Sequence, residues 1–217
     1  RGESATRLMT QLNIPYTGST TLGLGVATNR DLIKRAYNMA GLPTLRYEVL
    51  TTNASLDDLL HVFRTFVHPV VVKPVQARAS LGVRLAHSFE ELKEGVASAF
   101  KHAKEVLVEE GVKGERAVCG VIEGFRDSKL YSLIPTPNKF KSTSHKEIER
   151  LARLAHEALG LRHYSLSHFV VTPKGKVYIV ETDAQPELHQ DSALVTSLKS
   201  VGIAPQEFID HIISLTK

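Results

Sequence analysis

The sequence predicts an α+β fold, and three observations carry that prediction. Short β-branched runs alternate with segments whose apolar residues recur every three to four positions. Several consecutive strand-like runs are separated only by hairpin-length turns, which calls for antiparallel pairing and not a regular doubly wound sheet. The 217 residues, 42% hydrophobic and 23% charged, are enough for a substantial core and argue against a disordered or low-complexity chain.

The elements follow in order. Residues 5–12 (ATRLMTQL) place Leu8, Met9 and Leu12 on one helical face, and NIPYTGS then reads as a short extended piece closed by a turn. Asn29 is positioned to cap a helix carrying Leu32, Ile33, Ala36, Tyr37 and Ala40, with Gly41 ending it and Pro43 preventing its continuation. LRYEVLT (45–51) reads as a strand, and Ser55 with Asp58 forms a capping box for a helix bearing Leu56, Leu59, Leu60 and Phe63. The valines of PVVVKPV (69–75) suit a strand buried on both faces, followed by the turn-rich QARASLGV and a return strand VRLAH. Ser88 with Glu91 opens a helix bearing Leu92, Val96, Ala99 and Ala103. Strands are then expected at 105–112, 116–124 and 130–134, with Ser144 and Glu147 capping the longest helix and Gly160 ending it. SLSHFVVTPKGKVYIVETD (165–183) is a hairpin turning at PKG, and a helix from about Pro205 closes the chain.

Composition bounds function. The longest uncharged apolar stretch, around HPVVV, is far below the roughly 20 residues that cross a bilayer, and no signal-peptide pattern opens the chain, so a soluble protein is expected. The single cysteine, Cys119, excludes an internal disulfide framework and fits the cytoplasm. A net charge of +4, from 27 basic and 23 acidic residues spread along the chain, suits a phosphate-bearing ligand at least as well as a nucleic-acid groove.

Three clusters could carry chemistry. Lys73, centred in an apolar strand, must meet an anion such as a phosphate or lie on an edge strand with its head in water. Glu109 and Glu110 end a strand before Gly111 and Gly114, where backbone groups could meet a flat purine; the other reading is a solvated strand terminus. Glu181 and Asp183 share a strand face by alternation, with His168 on the partner strand across roughly 5 Å. They form either an Mg²⁺ or Mn²⁺ site or a polar strand end. No GxxxxGK[ST], GxGxxG, HExxH or GxSxG occurs, and Cys119 in AVCGV reads as an inert core thiol.

The order NIPYTGS, NRDLIKRAYNMAGLPTLRY, HPVVVKP…ASLGV, VLVEEGVKGE, LARLAHEALGL, VYIVETDAQP resembles the ATP-grasp enzymes of the D-alanine–D-alanine ligase type over nearly all 217 residues. The resemblance implies two α+β subdomains with a nucleotide cleft between them, at 29–111 and 112–217, residues 1–28 being the remnant of a preceding domain. It implies ATP and Mg²⁺ (or Mn²⁺), an acylphosphate formed on a small amino acid, and attack by an amine, in peptidoglycan precursor synthesis. Phosphate contacts fall on Lys73 and on Arg30, where the family has a lysine. The phosphate-covering loop falls on Arg78, Ala79, Ser80, Leu81 and Gly82, with Ser80 as its catalytic member. Adenine would lie along Glu109, Glu110, Gly111 and Val112, and ribose near Glu115. Metal ligands fall on His168, Glu181 and Asp183, and a substrate-side serine on Ser192.

The chain also departs from the pattern. His168 replaces an acidic metal ligand, Leu166 replaces an arginine that steadies developing negative charge, and Glu187 replaces a glycine. The stretch between Cys119 and the helix near Ser144 is too short for the family's long lid. A ligase, truncated or reduced, and an impaired nucleotide-binding or scaffold protein are therefore both open. Either a homodimer or a separate N-terminal domain is the expected protein partner, with no nucleic acid and no membrane.

Overall fold

In the computed structural model, which describes residues 2–76 and 81–216, two four-stranded antiparallel sheets flank a cleft. The first half of the chain contributes α1 (Gly2–Gln11), α2 (Thr21–Ala27), α3 (Arg30–Met39), β1 (Tyr47–Thr51), α4 (Leu56–Thr65), β2 (Val70–Pro74), β3 (Arg84–Ala86), α5 (Phe89–Phe100) and β4 (Glu105–Glu110). The second contributes β5 (Glu115–Phe125), β6 (Ser128–Ser132), α6 (Ser142–Ala158), β7 (Tyr164–Val171), β8 (Val177–Asp183), α7 (Ala193–Ser200) and α8 (Pro205–Ser214). Strand order is β1-β4-β2-β3 in one sheet and β6-β5-β7-β8 in the other, and the chain passes between them at residues 111–114.

Each sheet buries the apolar stripe of the helices laid on it. Val62 of α4 and Leu92, Val96 and Ala99 of α5 pack on Leu50, Val70, Val72, Val106 and Val108. The second sheet is covered on both faces. Ile33 and Tyr37 of α3 join Ile148, Leu151 and Ala155 of α6 over Phe169 and Ile179 on one side. Leu194, Leu198, Phe208 and Ile212 of α7 and α8 cover Ile122 and Leu166 on the other. Thus α3, which precedes the first sheet in sequence, is packed on the second. The segment after it bridges to β8 through Thr44 and Ile179, with the Ile179 amide donating to the Pro43 carbonyl at 2.9 Å.

Local chemistry explains the helix starts. The Asn29 side chain accepts from the amides of Asp31 and Leu32, and Ser55 with Asp58 makes the expected reciprocal box. At Ser88 the box is half made: Ser88 accepts from the Glu91 amide, while the Glu91 carboxylate takes the His87 amide.

Four expectations need correction. The Ser144 cap is wrong, because α6 begins at Ser142, preceded by an extended Lys141, and Ser144 is buried within its first turn. The strand placed at 130–134 is Ser128–Ser132, because Arg126 and Asp127 both adopt left-handed backbone (φ 48° and 58°) and close the β5–β6 hairpin without glycine there. The strand of consecutive valines is not buried on both faces: Val70 and Val72 enter the core while Val71 and Lys73 on the other face are half-buried. Helices α2 and α7 went unread. TLGLGVA carries two glycines in seven residues, yet Thr20 caps it, and a Cβ on Gly23 would sit 2.9 Å from the Gly160 carbonyl, so glycine is what lets α2 dock.

Candidate nucleotide cleft

The floor of the cleft is built from α3, β2 and β4. Residues Arg30, Ile33, Lys34 and Tyr37 recur at helical spacing, so the face that buries Ile33 and Tyr37 also carries two cations inward. Leu32 and Ala40, expected on that face, are exposed. Lys34 is only 3% exposed and ion-pairs with Oε1 of Glu109, itself 1% exposed. Lys73, 14% exposed, donates to Oε2 of the same carboxylate at 2.6 Å. Lys73 pairs with Leu107, and Val71 with Glu109, across β2 and β4, so lysine and glutamate lie diagonally on one sheet face. β2 is an interior strand, which removes the edge-strand reading of Lys73. The solvated-terminus reading of Glu109 falls with its burial.

Electrostatics on this floor are strongly coupled. Burial lowers the Lys34 ammonium below its usual range, the Lys73 charge adding to the effect against the pull of Glu109. For Glu109, burial alone would raise the carboxyl, but the charges and hydrogen bonds of the two lysines bring it below the carboxylate range. Lys34 also donates to Thr44 Oγ1 at 2.6 Å, and Thr44 donates to the Ile179 carbonyl at 3.2 Å, which ties the floor to the second sheet. The Arg30 guanidinium donates to the Pro74 carbonyl at 2.8 Å and so closes the end of β2 over α3.

The opposite wall comes from β7, β8 and the start of α7. Thr182 points into the core, bonded to the Tyr37 hydroxyl at 2.7 Å and the Ser167 hydroxyl at 2.8 Å. Strand alternation then turns Glu181 and Asp183 into the cleft. His168 stands in register with Glu181, and Leu166 with Asp183. All four line a cleft of about 920 Å³ together with Arg30, Gln76, Glu187 and Ser192. Asp183 reaches solvent, yet the protein around it raises its carboxyl above the usual range, and the like charges of Glu181 and Glu187 add to this against the Gln185 amide and His168. Ser192 caps α7, its hydroxyl accepting from the Val195 amide at 3.3 Å.

Two adjoining pockets that share Arg30, Ile33 and Glu181 therefore bring Lys73, beside buried Glu109, next to His168, Asp183 and Ser192. Other expected residues are elsewhere. The Glu110 carboxylate accepts from the Val67 amide at 3.0 Å, on the turn before β2. Gly111 donates to the Pro69 carbonyl at 2.7 Å, so close that a Cβ would approach that oxygen to 2.4 Å. Val112 is half-buried beyond β4. Glu115 is an exposed partner of Lys139 at 2.6 Å and is not part of the cleft lining. Gly82 is left-handed (φ 74°) and packed on Pro74 and His102. Arg78, Ala79 and Ser80 lie outside the described residues. Lys34 is the residue the sequence reading missed.

Among the described residues, no three His, Cys, Asp or Glu side chains gather closely enough to enclose a metal ion. A magnesium ion does not require such a cage, since it commonly keeps several waters and takes one or two carboxylates plus substrate phosphates. Glu181 and Asp183 fit that arrangement: burial first, with the like charges of Glu181 and Glu187 adding to it, raises the Asp183 carboxyl, and a divalent cation would favour its charged form. Among the described residues no helix is long and apolar enough to cross a membrane.

Comparison with known proteins places this geometry. The sequence model of the family described as "D-ala D-ala ligase C-terminus" matches residues 36–135 and 125–214. The D-alanine–D-alanine ligase of Geobacter sulfurreducens is 29% identical over 226 residues, which cover 95% of this chain and 70% of that protein. The solved D-alanine–D-alanine ligase of Coxiella burnetii superposes with a TM-score of 0.90 at 20% identity, over 99% of this chain but 64% of the other. The Bacillus anthracis enzyme, solved in complex with ATP, superposes with a TM-score of 0.82 at 24% identity, over 99% of this chain and 72% of the other. These neighbours have the ATP-grasp fold.

Proposed function

The chain belongs to the family described as D-ala D-ala ligase C-terminus, and from that premise we propose that it is an ATP-dependent carboxylate–amine ligase of the D-alanine–D-alanine type. The observation that carries this reading is a pocket with Lys34 and Lys73 that adjoins, through Arg30, Ile33 and Glu181, a larger one lined by Glu181 and Asp183. Lys73 and Arg30 would hold the ATP phosphates, with Arg78, Ser80 and Gly82 in the loop over them. Adenine would lie along residues 109–112. Glu181 and Asp183, with His168 beside them, would hold Mg²⁺, whose charge would neutralise phosphate oxygens. Ser192, at the start of α7, would orient the amino-acid substrate; a helix N-terminus favours the anionic carboxylate of such a ligand. The reading puts the chain in the cytoplasm, with remaining substrate contacts supplied by a second copy or by an N-terminal domain.

A second reading, nucleotide binding without turnover, is favoured by Leu166. Its side chain lines the cleft wall in register with Asp183, where a cation would be needed to steady charge on a transferring phosphoryl group. The connection at 133–141 is also held down on β5, with Val118 and Thr136 exchanging two 2.9 Å backbone bonds, so it does not cover the cleft as a lid that excludes water would. Calorimetry with Mg·ATP tests the nucleotide site: heat is expected, and none at millimolar ATP overturns both readings. D-alanine-dependent phosphate release then separates them, a ligase releasing phosphate and a binder none.

A further inference from the structure

On the floor of the cleft two lysines share one buried carboxylate, and the three groups are not equivalent. Lys34 is shut in, bonded to Glu109 and Thr44 and anchored through Thr44 to Ile179. Lys73 is the more exposed of the two lysines, and both line the cleft beside Glu181. Glu109 gives one oxygen to each lysine.

We propose that Lys34 is a positioning residue: by occupying Glu109, it leaves the Lys73 ammonium free to turn to an anionic ligand in the cleft. The argument is about what remains when Lys73 moves. In a one-to-one pair, swinging Lys73 toward a phosphate would strand a carboxylate that is 1% exposed, and an uncompensated buried charge is strongly unfavourable. With Lys34 in place the carboxylate stays paired whichever way Lys73 points. The surplus positive charge then resides on the lysine that faces the ligand. Lys34 cannot follow, since Thr44 and the second sheet hold it. The placement supports this division: Lys34 comes from a helix packed on one sheet and Glu109 from a strand of the other, so the pair is set by tertiary structure. The inference rests on the nucleotide reading only for the identity of the anion.

The test compares the native chain with Lys34→Met, Lys34→Arg and the double variant Lys34→Met/Glu109→Gln. The first readout needs no nucleotide: the rate at which acetic anhydride labels the Lys73 amine, measured by mass spectrometry against Lys129, which is 88% exposed. Lys34→Met should slow Lys73 labelling about tenfold, because Glu109 then has no other cation and holds the Lys73 amine away from the reagent. Lys34→Arg should keep the native rate. The double variant should recover it to within about threefold, which a purely structural role for Lys34 would not produce. The second readout is affinity for Mg·ATP, expected to fall about tenfold in Lys34→Met. Native labelling in Lys34→Met, or slow labelling in the double variant, overturns the proposal. If Lys34→Met does not fold, the double variant decides alone, since it leaves no buried unpaired charge. No Mg·ATP binding by the native chain, with the labelling pattern as expected, would overturn the nucleotide reading and leave the role of Lys34 standing.

Discussion

The two sides of the cleft treat charge in opposite ways. On the floor, Glu109 is buried between Lys34 and Lys73, and the fold itself supplies every partner. On the wall, Glu181 and Asp183 face the cleft with Glu187 nearby, and the balance of burial and like charge pushes Asp183 up. One side is compensated before any ligand arrives, and the other is left for a ligand to compensate. A site that takes an anion and a cation together needs this asymmetry: a lysine with charge to spare, and carboxylates not already neutralised by the protein. The largest expected effect comes from removing the spare cation. Lys73→Ala should weaken Mg·ATP binding by about 2 kcal/mol, roughly thirtyfold, in calorimetry. Folding should be much less affected, since Lys34 continues to hold Glu109. Unchanged affinity would mean the floor is a structural seam and the asymmetry has no ligand.

Removing charge from the wall should do something different. In the native chain, Mg²⁺ should raise the thermal midpoint, with about 1.4 kcal/mol of stabilisation at ten times the dissociation constant. Asp183→Asn should abolish that response and raise the midpoint measured without metal, because it removes a like charge from beside Glu181 and Glu187. If magnesium stabilises Asp183→Asn as well as it does the native chain, the wall is not the metal site.

Acid should separate the two sides by sign. Glu109 titrates below its ordinary 4.5 in the folded state, so its contribution is present above that value and is lost as pH falls through the lowered one. Asp183 titrates above its ordinary 3.8, so its penalty is absent below that value and grows as pH rises through the raised one. In urea unfolding from pH 3 to 7, Asp183→Asn should therefore show a steeper acid loss than the native chain, and Glu109→Gln a shallower one. Parallel curves for the native chain and both variants would show that neither carboxyl is coupled to folding. The two contributions partly cancel in the native chain, so the variant differences are the signal.

Much of the fold was legible in the sequence because it is written locally. The Asn29 and Ser55 caps, the hairpin at 165–183 and the carboxylate alternation at 181 and 183 each depend on neighbours within a few residues. What was not legible depends on distant partners. Lys34 on an amphipathic helix reads as a solvent-facing residue, and its carboxylate lies 75 positions away, so no spacing announces it; only its phase with Ile33 and Tyr37 points inward. Helix α2 escaped because its two glycines lower helix propensity, and one of them, Gly23, answers to the Gly160 carbonyl and not to its own segment. The end of β4 shows both cases at once: adjacent residues Glu109 and Glu110 diverge, one into the cleft floor and one to the Val67 amide, as strand alternation requires once the faces are known.

Glu115 gives the smallest expected effect and the sharpest limit on the comparison. Sequence resemblance makes it the nearest carboxylate for a ribose, but it stands at the head of β5 with its side chain 57% exposed and paired, among the described residues, with an equally exposed Lys139. Exposed pairs of this kind contribute little, because two mobile side chains gain modest attraction in high dielectric. Glu115→Ala should therefore change unfolding free energy by no more than about 0.5 kcal/mol. It should leave Mg·ATP affinity unchanged, since neither the floor nor the wall includes it. A tenfold loss of affinity would extend the nucleotide site past Val112, onto a third surface where an exposed carboxylate at the head of β5 contributes as the buried floor does.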